Sequence, residues 1–481
     1  MPILVDFRCL LVQNPSSSSE MQGRSPRNLL GSSTPTGKKK LGDIIHLDAF
    51  GTHIIVLNSY KAARELLDLR LAYADRPVRV MDCELMGMGR TAFLSPYNDT
   101  WKSCRKLMHP NLRKTAMRQY HTLLERNVRT CMVQLLEAPE GFFDHLQLFT
   151  GKSLLMFTYG IEVNSIHDEF IATVEDLIDR AIRVAHPSAA IVNAIPILKH
   201  IPSWFPGAGF KRTAGAFRAE LDDAVQRPFD RVKAELAAGT AVPSFTSSCL
   251  QDGSYNDYDM IWSAGSMYFA GSDTTLASLK TFILAMALYP DVQKRAQTEV
   301  DKVTKANALP TLEDRDSTPY IACLLKELQR WIPVTPMNLP HRPMEPDYYN
   351  GYFIPEGSVV LPNVWAITRD EANYKDPERF WPERFELPEP ELDPYEYAFG
   401  FGRRRCPGIH FSDAMTYATV VSILATFDIS KPRDENGEEL DVEYSLSTGI
   451  FCCPDPFKCT IRPRPNVNVA QLLRSSVDEQ A

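Results

Sequence analysis

One cysteine of this chain lies in a segment that suits a metal-binding thiolate. Residues 399–408 read Phe-Gly-Phe-Gly-Arg-Arg-Arg-Cys-Pro-Gly, and a helical pattern follows Gly408. Glycines allow a tight loop and a close approach of the backbone to a bound group. The positive end of the following helix would lie near the sulfur of Cys406 and favour a thiolate. The chain has ten cysteines in all, without Cys-X-X-Cys pairs or zinc-type spacing, and we interpret the others as buried thiols of a reducing compartment.

A polar segment interrupts the longest helical pattern of the sequence. Residues 259–289 contain no proline and predict a helix that spans a whole domain. Residues 270–275, Ala-Gly-Ser-Asp-Thr-Thr, are a poor helix interior, because their side chains compete for backbone hydrogen bonds. Such a break within a good helix indicates a functional site. The alternative is a hinge or bulge without chemistry.

Two further pairs have a spacing that brings their side chains together. Glu327 and Arg330 share one face of an apolar-faced helix and can form a bidentate ion pair. Trp101 and Arg105 also share a helical face. Taken alone, the Glu327–Arg330 pair carries no weight, because most such pairs are solvated surface pairs. For the second pair, the alternative is a Trp101 that anchors core packing beside an exposed Arg105.

These segments together resemble the cytochrome P450 family. Phe399, Gly402, Arg404, Cys406 and Gly408 match its haem-binding signature. The resemblance implies that the Cys406 thiolate ligates the iron of haem b, where it pushes electron density onto the metal and favours cleavage of the O–O bond. It also implies that Arg404 binds a haem propionate, and that Phe399 and Gly408 belong to the cofactor-binding loop.

The same resemblance assigns roles to residues outside the cysteine loop. Thr274 is expected to hydrogen-bond bound dioxygen or its water, and Asp273 to relay protons from solvent, as an acid–alcohol pair that faces the haem. Trp101 and Arg105 are expected to reach one haem propionate. His341, in Pro-His-Arg at 340–342, is expected to be another propionate ligand; a surface histidine is the alternative.

A structural network is also implied by the resemblance. The segment Pro-Glu-Arg-Phe at 382–385 matches the family segment that adds a second arginine to the Glu327–Arg330 pair. Glu327, Arg330 and Arg384 are then expected to form a buried network beneath the haem. Its role would be folding and haem retention rather than chemistry.

The pattern of elements predicts one mainly α-helical domain with a minor β portion. Two short strands are predicted around Gly51, helices from Ser59 to about Arg330, and a last helix from Gly408 to about Thr426. The resemblance implies the cytochrome P450 fold, a single large domain around a buried haem. We divide the chain into a disordered leader without the usual membrane anchor (1–40), the catalytic domain (41–466) and a polar tail (467–481).

Charge and hydropathy limit the partners and the location. The chain has 52 Lys+Arg against 60 Asp+Glu and a net charge of −8, which argues against a nucleic-acid binder. Residues 1–12 fall short of the ~20 apolar residues that span a bilayer. The family implies the cytosolic face of the endoplasmic reticulum membrane, with peripheral or cytosolic location as the alternative. Residues 195–210 could dip into a membrane interface or be a packed loop.

The activity implied by the resemblance is a monooxygenase reaction. One atom of O₂ enters a lipophilic substrate, with electrons from NADPH through a separate cytochrome P450 reductase that docks near Arg403 and Arg405. Substrates of the fungal microsomal branch, which the chain resembles most, are terpenoid or polyketide intermediates or polycyclic aromatic xenobiotics. The alternatives are a haem-thiolate isomerase, dehydratase or peroxygenase, and a non-catalytic truncated haem protein. The pocket is expected from residues 80–94, 183–210, the long helix before Gly271, 334–339 and 445–453.

Overall fold

Helices make up most of the regular structure of the chain. A computed structural model describes residues 42–49, 51–185, 191–304, 308–447, 449–465 and 467–474. The predicted leader and the end of the predicted tail lie outside these residues. The helices are α1 (Tyr60–Ala63), α2 (Asp99–Leu112), α3 (His121–Glu137), α4 (Phe142–Tyr159), α5 (Glu169–Ala185), α6 (Ile191–Ala194), α7 (Gly209–Ala238), α8 (Phe245–Asp252), α9 (Asp257–Leu288), α10 (Pro290–Val303), α11 (Pro319–Trp331), α12 (Val364–Thr368), α13 (Ile409–Thr426) and α14 (Val469–Arg474).

Short strands form three small sheets in the described part of the chain. They are β1 (Ile44–Ala49), β2 (Thr52–Leu57), β3 (Asp347–Tyr349), β4 (Tyr352–Ile354), β5 (Val359–Pro362), β6 (Phe427–Ser430) and β7 (Thr460–Pro463). β1 and β2 pair antiparallel around the predicted turn, and β2 pairs parallel with β5, with Leu57 opposite Pro362. β3–β4 and β6–β7 are antiparallel pairs. The predicted fold class, mainly α with a minor β portion, is confirmed.

Helix α9 runs through the hydrophobic core and carries the polar segment 270–275. It is continuous, and both ends lie within two residues of the predicted bounds. The hydroxyl of Ser272 donates to the carbonyl of Tyr268 at 2.9 Å, and that of Thr274 to the carbonyl of Ala270 at 2.8 Å. These bonds satisfy the hydroxyls within the helix. The polar segment therefore does not break the helix.

A buried ion network ties α11 to the loop that leads toward Cys406. Arg330 forms a bidentate pair with Glu327, with both N–O distances 2.8 Å. Arg384 places its Nε 3.2 Å from the same carboxylate and donates to Glu391 at 2.6 Å. The backbone N–H of Trp381 donates to Glu327 at 2.6 Å. Because Glu327, Arg330 and Arg384 are all 0% exposed, the predicted buried network is confirmed.

The last described residues pack against the domain. Helix α14 lies in the segment predicted as a polar tail, yet Val469, Leu472 and Leu473 are buried. The helix contacts α3. The apolar residues at these three positions share one helical face, and this explains why the described part of the segment is packed rather than a polar extension.

Candidate active site: the Cys406 loop and helix α9

A backbone hydrogen bond closes the Cys406 loop at its two ends. The N–H of Cys406 donates to the carbonyl of Phe399 at 2.8 Å. Between them the chain takes left-handed conformations at Gly400 (φ 79°) and Gly402 (φ 52°). Residues with a Cβ atom are disfavoured in this region. The glycines of the signature are therefore needed for the shape of the loop.

Gly402 also brings the loop against the N-terminal part of the fold. A Cβ atom at this position would lie 2.4 Å from the carbonyl oxygen of Leu67. The N–H of Gly402 donates to the carboxylate of Asp68 at 2.6 Å. The loop is thus held by a close contact that leaves no room for a side chain.

Cys406 is an exposed residue, although protein atoms surround its thiol closely. Burial raises the pKa of the thiol, while the N–H of Gly408 and the positive charges of Arg105 and Arg405 lower it. Helix α13 begins at Ile409, so its positive end also points toward the loop. A sulfur with these neighbours can bind a metal as a thiolate.

Arg404 has a buried donor atom that the protein leaves unpaired. Its Nε donates to the carbonyl of Ala74 at 2.5 Å and its Nη2 to that of Ser95 at 2.9 Å. Its Nη1 is buried without a hydrogen-bond partner, and burial lowers the pKa of the guanidinium to about 10. A buried unsatisfied donor is costly unless a ligand pairs with it. Arg404 therefore fits the carboxylate of a haem propionate.

Trp101 and Arg105 lie beside Arg404. The guanidinium carbons of Arg404 and Arg105 lie 4.3 Å and 5.8 Å from the centre of the Trp101 ring. Burial lowers the pKa of Arg105, and the nearby Cys406 raises it. The structure thus brings together three of the residues predicted to bind propionates, next to the predicted iron ligand.

His341 belongs to the same cluster as Trp101, Arg105 and Arg404, which we call the buried cluster. It is 1% exposed, so the alternative of a surface histidine is wrong. Its Nδ1 donates to the carbonyl of Tyr73 at 2.8 Å, and burial and then the charges of Arg76 and Arg404 lower its pKa. Because Nδ1 carries a proton for this bond, Nε2 must gain a second proton before it can donate to a propionate.

Arg76 is a cluster member that the sequence did not single out. It is buried, and its guanidinium donates to three backbone carbonyls at 2.7–3.2 Å. Burial and the charge of Arg404 lower its pKa. An arginine before Pro77 carries no periodic or spacing signal that separates it from a surface arginine.

Asp273 and Thr274 lie on different faces of α9. Successive helical residues are rotated by about 100°. Asp273 lines a small cavity between α9, α4 and α5, while Thr274 shares its side with Ala270, which is exposed in the middle of a buried helix. Thr275 donates to Ser412 in α13 at 3.2 Å, which places this part of α9 beside the helix that follows Cys406. The two side chains therefore do not face one common space.

The segments predicted to line a substrate pocket are joined by hydrogen bonds. The N–H of Ala92 donates to Ser266 at 2.8 Å, and that of Cys452 to the carbonyl of Val334 at 2.7 Å. Residues 186–190 and 448 of these segments lie outside the described residues. Buried or half-buried apolar side chains in the segments include Met86, Phe93, Met267, Phe269 and Phe451.

A cluster of exposed apolar side chains lies between α6 and α7. The exposed fractions are 45% for Ile195, 70% for Ile197, 78% for Trp204 and 47% for Phe205. The neighbouring Lys199 pairs with Glu84 at 2.7 Å. None of the helices in the described ranges is both long enough and apolar enough to span a bilayer.

Comparison with known sequences finds similarity to one family, cytochrome P450. The family model described as Cytochrome P450 matches residues 21–458. Cytochrome P450 monooxygenase claR of Ampulloclitocybe clavipes is 39% identical, covering 91% of this chain and 83% of that protein. Cytochrome P450 monooxygenase 176 of Postia placenta is 37% identical, covering 91% and 86%. Cytochrome P450 monooxygenase COX2 of Coprinopsis cinerea is 36% identical, covering 89% and 84%. These relatives are fungal.

Solved structures share the architecture. A zebrafish cytochrome P450 with abiraterone superposes with a TM-score of 0.71 at 22% identity, covering 89% of this chain and 98% of that one. A zebrafish cytochrome P450 with progesterone gives a TM-score of 0.73 at 23% identity, covering 92% and 100%. At this level of identity the likeness establishes the fold.

Proposed function

The chain belongs to the cytochrome P450 family and is a P450 monooxygenase, and we propose that it inserts one oxygen atom of O₂ into a lipophilic molecule and releases the other as water. When bound, the haem of the family supplies the activation of O₂. The observation that carries the proposal is the Cys406 loop. It presents an exposed cysteine beside Arg404, whose buried Nη1 lacks a partner.

The residues of the loop and of the buried cluster have distinct tasks in this proposal. Cys406 would hold the iron, and Arg404, Arg105 and Trp101 would bind the propionates. His341 joins them in its doubly protonated form, since the propionate supplies the negative charge that its second proton requires. Together these residues would hold the haem beside the cysteine loop.

Thr274 of α9 is proposed to act at the site where O₂ would bind. Its hydroxyl donates to the carbonyl of Ala270, so its lone pairs are free to accept a hydrogen bond from a water or a protonated group in the pocket. Asp273 is proposed to supply the protons that the reaction consumes. An acid and an alcohol at these positions favour the monooxygenase over the haem-thiolate isomerases and dehydratases, which often lose this pair.

The substrate is proposed to be lipophilic and bulky. The segments that surround the pocket contribute methionine and aromatic side chains, which suit an adaptable apolar site. Terpenoid or polyketide intermediates and polycyclic aromatic xenobiotics are the classes we propose. The exposed apolar cluster at residues 195–205 supports peripheral contact with the cytosolic face of the endoplasmic reticulum membrane, from which such molecules enter.

Electrons are proposed to come from NADPH through a cytochrome P450 reductase. The docking face would be the side of the Cys406 loop. Arg403 is exposed there, while Arg405 is half-buried and donates to the carbonyl of Tyr395 at 2.6 Å. Exposed positive charge favours docking of an acidic partner surface.

Isotope labelling tests the proposal. The haem-loaded protein with a fungal cytochrome P450 reductase and NADPH is incubated under ¹⁸O₂ with phenanthrene or with a sesquiterpene hydrocarbon. One labelled oxygen atom in the product is expected, and Cys406→Ala should form none. A product without added oxygen would contradict the proposal, as would turnover that requires peroxide and ignores NADPH; these results favour an isomerase and a peroxygenase respectively.

A further inference from the structure

The cavity beside Asp273 lies between α9 and two other helices, α4 and α5. Polar groups come from Asp273 of α9, Gln147 of α4 and Glu175 of α5. The cavity volume is about 10 Å³, which is near the lower limit for holding one water molecule. Two carboxylates and an amide also supply the two or more polar partners that a buried water requires. The apolar walls include Ile171, Val174 and Leu276.

Glu175 links this cavity to the protein surface. Its side chain is half-buried, and its carboxylate accepts a hydrogen bond from the amide of Gln147. Asp179, one turn further along α5, is exposed. The carboxyl group of Glu175 is therefore held at the cavity by Gln147 while its helix borders solvent. Neither the haem-binding loop nor the pocket segments account for this arrangement.

We propose that Glu175 and the cavity form the entry through which protons from solvent reach Asp273. The inference rests on the proposed monooxygenase function, since RH, O₂, two electrons and two protons give ROH and H₂O. Glu175 takes a proton from solvent and passes one through a cavity water to Asp273. It is thus a positioning residue that acts through Asp273 and does not touch the substrate.

The charges around the cavity suit proton transfer. Burial raises the pKa of Asp273 to about 6; Lys280 lowers it and Asp179 raises it. Burial also raises the pKa of Glu175, with Asp273 and Asp179 adding to the rise and Gln147 and Lys280 opposing it. Helix α4 contributes the neutral Gln147. Both pKa values are thus shifted toward physiological pH, where a carboxyl group can take up and release a proton.

Protonated Asp273 can deliver its proton around the helix. Its neighbour Thr274 lies about 100° away on the accessible side of α9. A neutral carboxyl group loses much less solvation than a carboxylate when it turns into an apolar pocket. A rotation of protonated Asp273 toward Thr274 therefore moves a proton without moving a charge.

The first test compares two isosteric changes on the same helix. Glu175→Gln removes the proposed donor, while Asp176→Asn removes an exposed carboxylate that pairs with Arg180 and serves as the control. Haem content and the carbon monoxide spectrum establish that both variants are folded. With phenanthrene, reductase and NADPH, Glu175→Gln is expected to lower the amount of product formed per NADPH by about tenfold. Loss of a direct general acid typically costs a factor of ~10² or more. The expected effect is smaller because water can replace part of the role of Glu175. The product-forming rate of Glu175→Gln should also show a larger solvent deuterium isotope effect. Unchanged coupling and isotope effect in Glu175→Gln would overturn the proposal.

The second test needs no turnover. The infrared band of the protonated Glu175 carboxyl, assigned by its loss in Glu175→Gln, is titrated with pH in the wild type, in Asp273→Asn and in Asp176→Asn. Because the charge of Asp273 raises the pKa of Glu175, the midpoint should fall in Asp273→Asn and stay at the wild-type value in Asp176→Asn. An unchanged titration midpoint of Glu175 in Asp273→Asn would refute the claim that the two acids share one cavity. A wild type that oxidises neither probe would count against the proposed function, and the titration would still decide the coupling.

Discussion

Replacing Glu327 with glutamine tests whether the buried ion network holds the fold together. The network contains Arg330 and Arg384 with two carboxylates, Glu327 and Glu391, so its charges balance. Glu327→Gln keeps the shape of the side chain but leaves one positive charge uncompensated. Glu327 is 0% exposed, so water cannot supply the missing charge.

The size of the effect follows from burial. Removing one partner of a buried ion pair costs about 3–5 kcal/mol. The unfolding entropy is about 2.1 cal/mol/K per residue. For a chain of 481 residues, the total unfolding entropy is therefore about 1 kcal/mol/K. The loss corresponds to a fall in the thermal midpoint of roughly 3–5 °C.

Thermal unfolding of the haem-loaded protein measures this change, at one scan rate for all variants because large proteins often unfold irreversibly. Glu439→Gln is the matched control, since its pair with Arg433 is exposed (52% and 42%). Such a pair contributes about 0–1 kcal/mol, so the control should shift by about 1 °C or less. Equal shifts in Glu327→Gln and Glu439→Gln would refute the argument that burial makes this network important.

Three further changes give distinct outcomes. Asp273→Asn should stabilise the protein above pH 6 and much less at pH 4. The folded state binds this proton more tightly because burial raises the pKa from 3.8 to about 6, so wild-type stability falls as pH rises through this window. The rise in pKa from 3.8 to about 6 corresponds to about 3 kcal/mol of stability. Calorimetry at both pH values measures the stability difference between Asp273→Asn and the wild type, and an equal difference at both would contradict this prediction. Arg404→Ala should release haem to apomyoglobin about tenfold faster or more, because a charged hydrogen bond of about 1.5–3 kcal/mol is lost; an unchanged rate would exclude the propionate role. Gly402→Ala should lower the free energy of unfolding by more than about 1 kcal/mol, since it adds left-handed strain to an overlap with the Leu67 carbonyl; an unchanged denaturation midpoint would contradict the close contact.

The sequence was sufficient where chemistry depends on local spacing. The Cys406 loop needs glycines at fixed positions for its left-handed turns, and the sequence shows these glycines directly. Helix α9 was predicted within two residues because its apolar pattern is long and contains no proline. Glu327 and Arg330 are three residues apart on one helix, so their pairing follows from helical geometry.

Contacts between distant segments could not be predicted in this way. Glu175 reads as one of several acids on an amphipathic helix, and only the packing of α5 against α9 brings it to Asp273. Arg76 looks like a surface arginine until the fold buries it beside Arg404. The sequence placed Asp273 next to Thr274 but could not show that the two side chains point to different spaces, which depends on the neighbours of α9.

The carbon monoxide difference spectrum tests the central claim, that Cys406 ligates haem iron as a thiolate, most directly. The haem-loaded wild type and Cys406→Ala are reduced with dithionite and exposed to carbon monoxide. The wild type should show the red-shifted Soret band of thiolate-ligated haem, and Cys406→Ala should lose it. A wild type that shows the band of histidine-ligated haem, or binds no haem, would contradict the account.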